Sequence, residues 1–91
     1  MLELEVHKSF IKDLNKAQLN STNSEKLFLY ISKLLNKQEL PKEAKNHFLS
    51  GEWSDTQEFH ISGDLLVIYI LDDNKLKLLR IGTHSQLFKK F

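Results

Sequence analysis

The feature that most constrains the fold is an uninterrupted apolar run, Leu65–Leu71, rich in Ile and Val. The turn-forming segments 62–64 and 72–74 bound it on either side. A strand without polar positions must be covered on both faces, which is typical of a central strand. The second turn is short enough to join two antiparallel strands directly. The run therefore predicts a central strand with a hairpin partner over residues 75–81.

Two shorter stretches alternate apolar and polar residues, as half-buried strands do. Leu2, Leu4 and Val6 alternate with polar residues, which predicts an N-terminal strand with one buried face. Residues 56–61 alternate in the same way, and His60 falls on the polar face together with a neighbouring glutamate. Both stretches are therefore expected to join the same sheet as the central strand.

Two amphipathic helices are expected between the first strand and the others. The first helix begins at Ser9 as its N-cap. The second carries apolar residues at helical spacing over 27–35, with Asn23 or Ser24 as its N-cap. The element order is β-α-α-β-β-β. It predicts one α+β domain over residues 1–91, with two helices on one face of a mainly antiparallel sheet.

Composition excludes several kinds of site. The chain has no cysteine, which excludes disulfide scaffolds, Cys-ligated zinc, Fe–S clusters and thiol catalysis. It also shows neither a signal peptide nor an apolar segment long enough to span a membrane, so we expect a soluble cytoplasmic protein. The net charge of +1 is low for a general polyanion binder. Contact with nucleic acid would have to rest on local clusters. One is a basic stripe on the first helix, which is otherwise a solvated face: Lys8, Lys12 and Lys16.

The histidines and one aspartate concentrate at one predicted edge of the sheet. His60 lies at the end of its strand, Asp64 in the next turn, and His84 just after the last strand. In a meander these positions share one end of the sheet, and His47 can reach it from the preceding loop. Arg80 lies on the last strand, four residues before His84. The sequence therefore predicts a cluster of proton-transferring groups at this edge, although surface histidines would give the same pattern.

These residue types suit the cleavage of RNA by its own 2′-hydroxyl. Histidine exchanges protons near neutral pH, and the reaction needs a base, an acid for the leaving 5′-oxygen and a cation at the phosphate, but no metal or cofactor. Phe88 is placed to stack on a base. Plainer interpretations stay open: Phe88 as a core cap, Trp53 as a packing anchor, and Arg80 in an ion pair with Asp64 or Glu58. A final alternative is a zinc site made of His47, His60, His84 and Asp64.

Three segments resemble, in order and spacing, those of YafQ-type toxins in the RelE/ParE superfamily of toxin–antitoxin modules. They read NHFLSGEW at 46–53, EFHISGDLLVIY at 58–69 and LRIGTHSQLF at 79–88. Each motif is weak by itself, but together they are specific. The resemblance implies a RelE-like β-α-α-β-β-β fold, in agreement with the pattern above.

The resemblance also implies a function. Members of this family are mRNA endonucleases that act in the ribosomal A site, are inhibited by a cognate antitoxin, and reach operator DNA only through the antitoxin complex. It implies that His84 is the general acid and that Arg80 steadies the phosphate. It also implies that Phe88 steadies a nucleotide base of the reading frame. The base, or the group that orients it, is one of three residues: His47, His60 or Asp64.

The sequence departs from the family pattern at three positions. Gln57 stands where many members have Arg, Gly63 where Pro is common, and Leu65 where Trp is common. Loss of an arginine weakens phosphate binding. A non-catalytic toxin therefore stays open as an alternative, either a ParE-like gyrase inhibitor or a degenerate homologue that only binds its antitoxin.

Overall fold

The computed structural model describes residues 1–51 and 55–88, so the expected anchor Trp53 lies outside the described part. A short 3₁₀ turn, Lys42–Ala44, precedes the second strand. The strands are β1 (Glu3–Val6), β2 (His47–Phe48), β3 (Gln57–Ser62), β4 (Leu65–Asp72) and β5 (Lys75–Thr83); the helices are α1 (Lys8–Ala17), α2 (Ser21–Leu35) and α3 (His84–Leu87).

The five strands form one sheet in the order β1-β5-β4-β3-β2. The pairs β2–β3, β3–β4 and β4–β5 are antiparallel, and β1 alone pairs in parallel, with Glu3 opposite Lys75. Two-residue turns join β3 to β4 and β4 to β5. Gly63 and Asp73 in these turns have positive φ, as tight hairpins of this kind require. The α+β class and the mainly antiparallel sheet are thus confirmed.

The central strand is covered on both faces, as the apolar run predicts. Val67 and Tyr69 belong to the core under α1 and α2, where Tyr30 packs edge-on against Phe59 with ring centroids 5.6 Å apart. On the opposite face a smaller apolar layer contains Leu66, Ile68 and Leu87, with Leu49, Leu79 and Phe88 packed against it.

The predicted buried face of the first strand is wrong in part. Leu2 packs against the core, but Leu4 is 47% exposed and Val6 39% exposed. Strand β1 lies at the edge of the sheet and has a neighbour on one side only. Its apolar side chains are therefore only partly covered.

Both predicted N-caps are also wrong. Helix α1 begins at Lys8, and the Ser9 hydroxyl donates to the carbonyl of Leu79 on β5 at 2.7 Å. Helix α2 begins at Ser21, because the side chain of Asn20 accepts the backbone N–H of Asn23 at 2.8 Å. A capping oxygen in this position satisfies one of the free N–H groups of the first turn. No helix within the described ranges is long and apolar enough to cross a membrane.

Candidate active site

A buried carboxylate with two histidines lies on the sheet face opposite α1 and α2. The short strand β2 places His47 directly opposite Glu58 of β3. Glu58 Oε2 is 3.0 Å from His60 Nε2 and 3.3 Å from His47 Nε2. The two imidazole rings stack with centroids 6.4 Å apart. We call His47, Glu58 and His60 the carboxylate–histidine trio.

The hydrogen bonds of His47 fix the orientation of its ring. His47 Nδ1 is 2.6 Å from the Lys45 carbonyl oxygen, which can only accept, so Nδ1 carries a proton. His47 Nε2 then faces a carboxylate oxygen at 3.3 Å. A buried carboxylate that contacts two imidazole rings can orient both of them and stabilise an imidazolium when one of them takes up a proton.

The other oxygen of Glu58 is unusual. The residue is 2% exposed, and Oε1 is buried with no hydrogen-bond partner among the described residues. A buried acceptor left unpaired costs about 1–3 kcal/mol. Native proteins keep few such groups, and a functional role is one of the established reasons for keeping one.

A second group of side chains lies at the start of α3. Thr83 and Gln86 form a capping box that fixes the N-terminus of this short helix at His84. The His84 backbone N–H donates to Asp64 Oδ1 at 3.3 Å, which ties α3 to the β3–β4 turn. The His84 ring lies 4.8 Å from the Phe88 ring, centroid to centroid. The predicted set of His84, Asp64 and Phe88 is therefore brought together.

The register of the sheet places both groups near one another. His60 lies opposite Leu66, which in turn lies opposite Gly82 on β5. Since neighbouring strands are about 4.8 Å apart, His60 and Gly82 are separated by about 10 Å across the face. A Cβ at Gly82 would meet Gln86 Oε1 at 2.9 Å, so α3 packs tightly on the strand end. The exposed His84 follows Gly82 by two residues in the chain.

The sequence left open an ion pair of Arg80 with Asp64 or Glu58, but Arg80 pairs with neither of them. Its Nε and Nη2 donate to the carboxylate of Asp13 on α1, at 2.6 and 3.2 Å. The backbone N–H of Ile81 donates to the same carboxylate at 3.1 Å. The hydrogen bond from the guanidinium to Asp13 raises the pKa of Arg80 further, so it stays cationic.

The basic stripe is solvent-exposed. Lys8, Lys12 and Lys16 lie on the outer surface of α1. Lys16 also lines a cleft of about 240 Å³ between α1 and α3, together with Asp13 and Arg80. In the described part of the chain, no three histidine or acidic side chains are arranged as a metal-binding group. The zinc alternative therefore has no support in the geometry.

Comparison with known proteins assigns the family. The model of the YafQ toxins, bacterial toxins of type II toxin–antitoxin systems, matches residues 2–89. The chain belongs to the YafQ family. The mRNA interferase toxin YafQ of Escherichia coli K12 is 33% identical over 87 residues, which cover 94% of this chain and 95% of the relative.

Solved structures agree with the assignment. A copper-bound mutant toxin from Helicobacter pylori superposes with a TM-score of 0.90 at 40% identity, covering 97% of this chain and 100% of the other. YafQ in the E. coli DinJ–YafQ complex superposes with a TM-score of 0.84 at 32% identity, covering 97% and 99%. The RelE-like fold expected from the sequence is confirmed.

Sequence reasoning missed a supporting residue beside this YafQ-family site. The Tyr69 hydroxyl donates to Asn46 Oδ1 and, at 3.2 Å, to Gln57 Oε1. Burial raises the pKa of Tyr69 to about 12, so the hydroxyl stays a donor. Because Asn46 immediately precedes His47, this contact anchors the strand that carries a trio histidine. The apolar run containing Tyr69 gave no sign of the role.

Proposed function

We propose that this YafQ-family chain is a metal-independent endoribonuclease that cuts mRNA in the ribosomal A site, in the cytoplasm, and is inhibited by a cognate antitoxin. The relative from E. coli, named as an mRNA interferase toxin, supports the reaction class. The observation that carries the proposal is the trio, with its buried carboxylate between two histidines, on the same sheet face as the exposed His84.

The reaction divides between the two groups. The trio takes the proton of a 2′-hydroxyl, and the 2′-oxygen attacks the adjacent phosphorus. The bond from phosphorus to the 5′-oxygen breaks, and His84 gives that oxygen a proton. The products are a 2′,3′-cyclic phosphate and a 5′-hydroxyl. Within the trio, His60 accepts the proton, and the buried Glu58, which also contacts His47, orients the ring and stabilises the imidazolium that forms.

Three other residues assist this reaction. Asp64 holds the start of α3 through the His84 backbone N–H and so orients the acid. Phe88, half-buried beside the His84 ring, offers a face on which a nucleotide base can stack. Arg80 contributes a fixed positive charge to the phosphate. The buried Gln57 has a hydrogen bond with Tyr69 and is less suited to bind a phosphate.

The proposed binding of an antitoxin is supported both by a related complex and by the distribution of charge along this chain. A YafQ relative is held by DinJ in a toxin–antitoxin complex. Residues 8–37 carry six lysines against two acidic residues, a net +4, while the rest of the chain carries seven basic and ten acidic residues, a net −3. The exposed stripe of Lys8, Lys12 and Lys16 therefore suits an acidic antitoxin segment. Operator DNA is then contacted only through that complex.

The decisive experiment maps mRNA 5′ ends after brief induction of the wild-type chain and of His84→Ala. We expect new ends at fixed codon positions within translated frames, absent in the variant. His7→Ala is the matched control, since Glu5 is the one hydrogen-bond or ion-pair partner of the His7 side chain within the described residues. Growth arrest without new ends would replace the proposal with a gyrase-inhibitor function. Neither arrest nor cutting would indicate a module that only binds its antitoxin.

A further inference from the structure

The ion pair between Asp13 and Arg80 joins α1 to the last strand. The Asp13 side chain is 14% exposed and accepts three hydrogen bonds, two from Arg80 and one from the Ile81 backbone N–H. Both oxygens of this carboxylate therefore accept hydrogen bonds from β5. The contact is a side-on fork, a geometry that fixes the plane of the guanidinium and not only its position.

The side-on contact leaves the end of the guanidinium available. Asp13 engages Nε and one N–H of Nη2, while both N–H groups of Nη1 and the second of Nη2 have no partner within residues 1–51 and 55–88. The Arg80 side chain is 34% exposed. It faces the cleft between α1 and α3, whose lining includes Lys16 and Gln86. This end of the guanidinium matches two oxygens of a phosphate.

We propose that Asp13 is a positioning residue, which holds Arg80 so that the free end of its guanidinium binds an RNA phosphate in the cleft between α1 and α3. This inference rests on the proposed function for the identity of the ligand. Lys16 adds a second positive charge to the cleft, so that the three side chains together carry a net positive charge. An RNA backbone is thereby held beside α3, which carries His84.

The direction in which Asp13→Asn changes the affinity for RNA distinguishes a positioning role from a purely electrostatic one. Asp13→Asn removes a negative charge next to the proposed phosphate, so long-range attraction alone predicts tighter RNA binding. The positioning role predicts the opposite. A released arginine must be immobilised anew on binding, which weakens affinity by about two- to tenfold. Glu25→Gln is the matched control, because it makes the same charge change on the exposed surface of α2.

The experiment measures binding of the full chain to ribosomes carrying an mRNA whose A-site 2′-hydroxyls are methylated and cannot attack. We expect Asp13→Asn to bind more weakly, Glu25→Gln to bind as well as wild type or better, and Asp13→Asn to add no loss in an Arg80→Gln background. Asp13→Asn binding as tightly as wild type would overturn the proposal. If Asp13→Asn lowered the affinity equally in the wild-type and the Arg80→Gln backgrounds, the proposal would also be overturned. Circular dichroism of each variant verifies that the comparison is between folded proteins.

Cutting is measured separately on unmodified mRNA. If the wild-type chain binds the ribosomes with methylated mRNA but does not cut unmodified mRNA, the proposed function is contradicted. The binding comparison then still decides the role of Asp13. Wild type that cuts, with Asp13→Asn unchanged in both KM and kcat, contradicts only the positioning role. A raised KM with kcat retained supports it. Wild type that fails to bind overturns both.

Discussion

Glu58 allows activity and stability to be separated by one isosteric change, Glu58→Gln. Two contacts to an ionised acceptor are worth about 1.5–3 kcal/mol each when buried, but the His47 side chain is 51% exposed and its share is smaller. Against this stands the desolvation of a buried carboxylate, several kcal/mol. The unpaired Oε1 does not change the balance, because the amide keeps an unpaired polar atom at the same position. The opposing contributions nearly cancel. We therefore expect the free energy of unfolding to change by no more than about 1 kcal/mol.

The effect on cleavage is expected to be large. A neutral amide cannot stabilise an imidazolium at His60 as a carboxylate does, and general acid–base catalysis contributes about 10²- to 10⁴-fold to rates. Urea denaturation gives the free energy of unfolding, and single-turnover cleavage on programmed ribosomes gives the rate. A loss of 3 kcal/mol or more, roughly that of a broken buried ion pair, would show that the trio is structural. Cleavage at the wild-type rate would remove Glu58 from the mechanism.

Two further predictions follow from the structure. Tyr69→Phe should lower the free energy of unfolding by about 1–2 kcal/mol in urea, since two amide oxygens lose their donor. In wild type the pKa of Tyr69 is raised from 10 to about 12. Its neutral form is therefore favoured by folding, and its contribution, complete below pH 10, is lost as pH rises toward 12. Burial also raises the pKa of Tyr30, so alkaline absorbance titration should find two late-titrating tyrosines, and Tyr69→Phe should lack the later transition. Separately, reversing the charges of Lys8 and Lys12 to Glu should slow antitoxin association at low salt. An unchanged rate, or equal slowing by reversal of Lys33 and Lys37, would exclude the stripe as the receiving surface.

The sequence was most informative where one local rule decides the structure. The run Leu65–Leu71 admits only a strand covered on both faces, and the short turns on either side set its two antiparallel neighbours. Patterns failed where a distant element decides. The alternation of Leu4 and Val6 shows which side chains share a face but not that β1 lies at the edge of the sheet, where that face is only partly covered.

The candidate site shows the same division. His60, Asp64 and His84 could be placed at one end of the sheet because hairpin pairing alone brings them there. Glu58 shares the polar face of His60 in the sequence pattern, but its burial depends on β2, a strand of only two residues. The partner of Arg80 is 67 residues away in the chain, and no local pattern could reveal Asp13.

The parallel pairing of the first and last strands bears on how the toxin is made. Synthesis proceeds from the N-terminus, so β1 and α1 emerge long before β5, the strand on which both pack. Contacts between such distant segments carry a large entropic cost of loop closure. The nascent chain therefore has neither the β1–β5 pairing nor a complete site before β5 and α3 have been synthesised. A chain that terminates before β5 would lack both the strand on which α1 packs and His84, the residue proposed as the general acid.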